Sequence, residues 1–135
     1  MRIKLVTSSY PMERMGGAEY QTLLLAQGLA HRGHEVVFVA TKSSEEDEIR
    51  TNGLVVKKIS NSRVVGRVQR RRLIERAILE GAPEICYVRR FWDLEAVVPC
   101  CNDAMIPVVS MSCHARETTP FVLRRHPSEM LTHFR

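Results

Sequence analysis

Gly16-Gly17 stands directly ahead of a long apolar run, and that placement has a chemistry. The first amides of a helix have no partners inside it, and the helix dipole is positive there. Two residues without Cβ let an anionic oxygen approach the backbone. A glycine pair that only makes a turn would look the same. Glu19, two residues on, either favours the dipole or contacts a ligand cleft. A second group, Arg89, Arg90 and Trp92, follows an apolar strand-like run. An arginine there suits phosphate through its fork of donors and Trp92 suits the face of a sugar, with solvated side chains as the plainer alternative. A third group, His114, Arg116 and Glu117, crowds a segment near the end of the chain, where Arg116 and Glu117 suit substrate contacts. No G-x-G-x-x-G fingerprint is present. Gly28 and Gly33 have Walker spacing, but His34-Glu35 replaces the required Lys-Ser/Thr. The four cysteines lack paired C-x-x-C spacing, so no metal site is read from them.

The elements that must position these groups follow from the hydrophobic pattern. Ile3, Leu5 and Val6 predict a short strand buried on both faces. From Ala18, Tyr20, Leu23, Leu24, Leu25, Ala26, Leu29 and Ala30 predict a helix apolar around most of its circumference, hence buried, with Gly33 as its left-handed stop. Residues 35–41 are β-branched and predict a second strand. Glu45 to Glu48 reads as a solvated loop or short helix. Residues 54–59 predict a third strand near an edge, because of its paired lysines. A helix from about Gln69 carries an apolar stripe of Leu73, Ile74, Ala77 and Ile78 and ends at Gly81. Residues 84–88 form a fourth strand, 92–104 a helix that Pro99 should kink, and 108–111 a fifth strand.

The order β-α-β-β-α-β-α-β predicts an α/β fold with a doubly wound, mainly parallel, Rossmann-like sheet. Ligands in such sheets lie beyond the carboxyl ends of the strands, where segments 8–17, 89–92 and 112–119 fall. At 135 residues the chain is one domain, and 44% hydrophobic with 26% charged residues is the balance of a globular protein. No apolar run reaches the ~20 residues of a membrane span, and the N-terminus lacks the apolar core of a signal peptide. Reduced thiols in the cytoplasm are therefore expected.

The net charge of +5 has a local source: residues 63–80 hold six arginines against two glutamates. Arg63, Arg67, Arg70, Arg71, Arg72 and Arg76 would suit an anionic phospholipid surface, giving a protein peripheral to the cytoplasmic face of a membrane. Nucleic acid would draw on the same charge, but stacking aromatics are missing from this stretch, so it is disfavoured. A plain solvated arginine helix is the third alternative.

In combination, these features carry a resemblance. A first strand, then Gly16-Gly17-Ala18-Glu19 opening a helix that continues Leu25-Ala26-Gln27-Gly28-Leu29-Ala30-His31-Arg32-Gly33-His34-Glu35-Val36, resembles the start of glycosyltransferase family 4, within the two-domain GT-B fold. Ile106-Pro107-Val108-Val109-Ser110 leading to His114 is similar to that family's late strand, which ends in a histidine at the interdomain cleft. The resemblance implies that Gly16 and Gly17 lie under the donor's diphosphate or the acceptor. It also implies that His114 is the catalytic-site histidine facing the transferred sugar and acceptor.

The family's Glu-x7-Glu pair belongs to a C-terminal donor-binding domain, and no glutamate here has a second one eight positions on. Residues 1–135 are thus expected to be the N-terminal, acceptor-side half of a retaining glycosyltransferase, from a truncated reading frame or as one subunit of a split enzyme. Its partners would be a nucleotide-diphosphate sugar as donor substrate, an acceptor and the absent domain, with no metal or other cofactor. Alone it would turn over little. The rival expectation is a non-catalytic α/β module that binds a phosphorylated ligand or an anionic membrane surface.

Overall fold

The computed structural model describes residues 1–11, 16–62, 64, 66–89 and 91–111, and for 91–94 the backbone only. Six strands and three helices follow in the order β1 (Arg2–Thr7), α1 (Gly17–His31), β2 (Glu35–Ser43), β3 (Asp47–Thr51), β4 (Leu54–Ser60), α2 (Arg67–Leu79), β5 (Ile85–Val88), α3 (Phe91–Asp103) and β6 (Val108–Ser110). They build one sheet in the order β3-β4-β2-β1-β5-β6, parallel throughout except for the antiparallel edge pair β3–β4. The chain winds outward from β1 through β2 to β4, then crosses through α2 to β5 on the other flank of β1. The fold is α/β, doubly wound and Rossmann-like, as expected of one GT-B half.

Strand alternation sorts the core onto two faces. Ile3 and Leu5 of β1 and Val36, Phe38 and Ala40 of β2 turn toward α1, where Leu23 and Ala26 meet them. Val6 and Val39 turn the other way, toward Ile74, Ala77 and Ile78 of α2 and Val97, Cys100 and Cys101 of α3. The predicted stripe of α2 is therefore its packed face. Three of the four cysteines belong to this core: Cys86, Cys100 and Cys101 are free and buried, and Cys113 lies outside the described residues. Hydrogen bonding to Cys101 and burial push the Cys100 thiol far up. A bond with Cys100 favours the Cys101 thiolate, but its bond with Cys86 and burial outweigh this and push it up to about 12. Such thiols stay protonated and inert.

Lys4 lies on the same face and is buried in the sheet. Its Nζ donates to the carbonyl of Ala77 at 2.8 Å. That carbonyl lies in the last turn of α2, where carbonyls have no partner within the helix and a cation is favoured. Burial, with Lys57 nearby, holds this lysine below its ordinary range.

Three expectations are corrected. Asp47 and Glu48 are in a strand, not in a loop or short helix. Asn52 and Gly53, at φ 47° and 76°, form the tight turn that folds β3 back on β4. The charges are matched across the pair: Glu48 lies opposite Lys57 and Asp47 opposite Lys58. Second, α1 is not buried all round, because only one layer covers its side of the sheet; Tyr20, Leu24 and Leu25 are exposed on its outer side. Third, α2 begins at Arg67, two residues before the expected start. Helix α3 runs through Pro99.

Candidate functional site at the carboxyl rim

Most of the buried polar residues among those described collect at one end. Thr7, Ser8 and Ser9 close β1, Thr41 and Ser43 close β2, and Arg89 follows β5, all of them buried. The strands stay connected past their ends. Thr41 Oγ1 donates to the Thr7 carbonyl at 3.3 Å, the Lys42 amide to Ser8 at 2.7 Å and the Arg89 amide to Val6 at 3.2 Å. The hydroxyls of Thr7, Ser8 and Ser43 are shut off from solvent and have no hydrogen-bond partner among the described residues. Buried polar groups are nearly always paired, so orphaned hydroxyls at one rim mark a place built for more than packing.

The start of α1 forms one wall. Gly16 is its N-cap, extended at φ −122° and ψ 139°, with no capping side chain of its own. Glu19, three residues on and only 3% exposed, folds its carboxylate back over this residue; a Cβ on Gly16 would run into Glu19 Oε2. Glu19 holds the position of the glutamate in a capping box, and it sets a negative charge against the positive end of the helix. Gly17 differs. A Cβ there would meet nothing within 4 Å, so no packing within the described residues requires a glycine.

Arg89 forms the second wall. It is 7% exposed, not solvated. One guanidinium nitrogen donates to Gln21 Oε1 in the second turn of α1 at 2.7 Å, and the other lies 2.7 Å from Met111 Sδ beyond β6. The arginine thus ties the outer flank of the sheet to α1 and puts a fixed cation at the same corner as Gly16, Gly17 and Glu19. His114, Arg116 and Glu117 lie outside the described residues, as do Arg63, Arg90 and the side chain of Trp92.

A family model described as Glycosyltransferase Family 4 matches residues 15–133. The chain belongs to glycosyltransferase family 4. Among curated proteins, none matches it. Glycosyl transfer is the chemistry of the family, and in this family 4 domain the matched span takes in Gly16-Gly17 and the rim segments that follow α1. No helix among the described residues is long and apolar enough to cross a membrane.

The rim of the family 4 domain contains residues that its motifs do not announce. Gln21 and Met111 hold Arg89 from 68 and 22 positions away. The signal for Thr7, Ser8, Thr41 and Ser43 was local: each ends a run of buried strand residues with a hydroxyl. The arginines of α2, in contrast, do not form one face. Arg70 turns inward and donates to the Thr41 carbonyl at 2.5 Å, and Arg71 pairs with Glu75 at 2.9 Å. Arg67, Arg72 and Arg76 are exposed.

Proposed function

We propose that this domain is the acceptor-side wall of a retaining glycosyltransferase that uses a nucleotide-diphosphate sugar. The observation that carries the reading is the corner at the start of α1, where Gly17 leaves the backbone open beside a fixed Arg89. Bond breaking at the sugar leaves negative charge on the diphosphate. First-turn amides and a held guanidinium stabilise that charge without reorganising as it develops, so this wall needs no metal ion. The buried Glu19 carboxylate would repel the diphosphate if it were alone. Arg89 offsets it, and cations of a partnering donor domain would complete the balance. His114 is assigned to a hydroxyl of the sugar or acceptor, with Arg116 and Glu117 beside it. A single wall holds only part of the transition state, so the domain by itself should transfer little.

The test is transfer from a panel of nucleotide sugars by the domain joined to its donor-binding partner. Gly17→Val and His114→Ala should each remove most turnover while the circular dichroism spectrum stays unchanged. Near-normal turnover in both variants would overturn the assignment.

A second reading concerns location. Val64 is 92% exposed and Val68 69% exposed; Arg67 lies between them, and Arg71 and Arg72 follow one turn after Val68. Apolar side chains among cations suit the headgroup region of an anionic membrane. Flotation with phosphatidylglycerol vesicles should be lost on Arg71→Glu with Arg72→Glu; unchanged flotation would remove the reading.

A further inference from the structure

Two cavities open beside α2, and they treat charge in opposite ways. The larger, about 430 Å³, brings Lys57, Lys58 and Arg76 against Glu46, Asp47, Glu48 and Glu80. Its lysines are matched. Lys57 pairs with Glu80 and lies 3.6 Å from Glu48, and Lys58 lies 3.9 Å from both Glu45 and Asp47. The smaller cavity, about 320 Å³, lies at the carboxyl rim between the end of β2 and the first turns of α2. Lys42, Arg67, Arg70 and Arg71 line it against a single carboxylate, Glu95 of α3.

Only one of those four cations is neutralised by an ion pair among the described residues, Arg71 with Glu75. Arg70 is held in place by its bond to the Thr41 carbonyl, and its Nε is shut off from solvent with no hydrogen-bond partner. Its orientation is thus fixed, and the terminal nitrogen not used by Thr41 is the donor it can offer an anionic oxygen. The beginning of α2 adds to this: its N-cap Gly66 offers no side-chain cap, and no acidic residue stands in the first turn. Elsewhere in the domain, cations at this density are met by carboxylates of the chain. Here they are not.

We propose that this cavity binds a phosphate monoester. The charge of a dianion matches the surplus of the lining, and the several oxygens of a phosphate can accept from Arg70 and from the neighbouring cations at once. The remaining volume accommodates a small polar body attached to the phosphate, with Ile74 and Ala96 as its apolar contacts. The same group could arrive on a soluble phosphorylated metabolite or as the headgroup of a lipid. The site is independent of the transferase reading, because phosphate binding is measured without turnover.

The experiment is calorimetric titration of the protein with inorganic phosphate and with glycerol 3-phosphate, beside sedimentation with phosphatidylcholine vesicles containing phosphatidic acid or phosphatidylglycerol. Lys42 and Arg67 are exposed, so Lys42→Gln with Arg67→Gln should fold normally and weaken phosphate-monoester binding about tenfold or more. Glu95→Gln should tighten it. Glycerol 3-phosphate binding that the double variant weakens supports the site with a soluble ligand. Binding to phosphatidic acid vesicles alone, weakened in the same way, supports it with a lipid ligand. The proposal is overturned if neither binds, if the double variant binds as the parent does, or if it loses phosphatidylglycerol vesicles as fully as phosphatidic acid vesicles. That last result would mean diffuse charge with no preference for a monoester.

Discussion

Helices α1 and α2 begin in the same way in sequence and in opposite ways in charge. Each has a glycine N-cap, Gly16 and Gly66, and each carries a glutamate or glutamine at the third helical position, Glu19 and Gln69. At α1 the carboxylate folds back on the glycine and is buried there, so the positive end of the helix is answered from within the chain. At α2 the neutral Gln69 is exposed, arginines crowd the first two turns, and the positive end is left for something outside. A glycine ahead of a helix is therefore not in itself a sign of ligand binding. What matters is the balance of charge around it: at α1 the held Arg89 stands against Glu19, and at α2 the first turn carries no acidic residue.

That contrast can be attacked at several points. The largest effect is expected at Gly16. Its replacement by valine drives a side chain into the Glu19 carboxylate and should cost about 2 kcal/mol in urea unfolding, whereas Gly17→Val should stay within about 0.5 kcal/mol of the parent. Equal losses at the two positions would mean that the Glu19 contact does not set Gly16 apart.

The far end of α2 comes next. Lys4→Ala leaves the Ala77 carbonyl buried without its donor and should cost about 1–2 kcal/mol. A pH signature accompanies it. The folded state holds Lys4 below the usual value of 10.5, so between the lowered value and 10.5 the unfolded chain binds more protons than the folded one. Stability from this group therefore rises with pH through that window. Unfolding midpoints measured from pH 7 to 10.5 should contain this rise in the parent and lack it in Lys4→Ala.

The smallest effects come from exchanging the two third positions. Glu19→Gln should lose about 0.5–1 kcal/mol. Gln69→Glu should gain roughly 0.3–0.5 kcal/mol while weakening the binding of inorganic phosphate. If both exchanges prove neutral in thermal unfolding, the opposite charging of the two helix starts has no energetic meaning.

Much of this architecture was legible because its signals are local. Gly33 and Gly81 end their helices with φ of 88° and 76°, and the stripe of Leu73, Ile74, Ala77 and Ile78 found its packed face. The edge hairpin was misread although Asn52-Gly53 announces it. Asp47 and Glu48 are poor strand formers alone, and only the lysines opposite them make the strand favourable. The exposed side of α1 was illegible for another reason: apolar content says that a helix can be buried, not how many layers the fold provides to bury it. At the site, Gly16-Gly17 and Glu19 fall on contiguous sequence and were read as a unit. The burial of Arg89 depends on Gln21 and Met111, partners that only the closed sheet brings to it.

The sealed hydroxyls of Thr7, Ser8 and Ser43 give the sheet a preference of its own. Each has given up water and found no partner among the described residues, so the sheet is under-satisfied at this end. Any group that slips between those strand tips recovers free energy the empty domain forgoes. Occupancy at the rim should then tighten the sheet as a whole, and amide exchange in β1 and β2 should slow when the rim is filled.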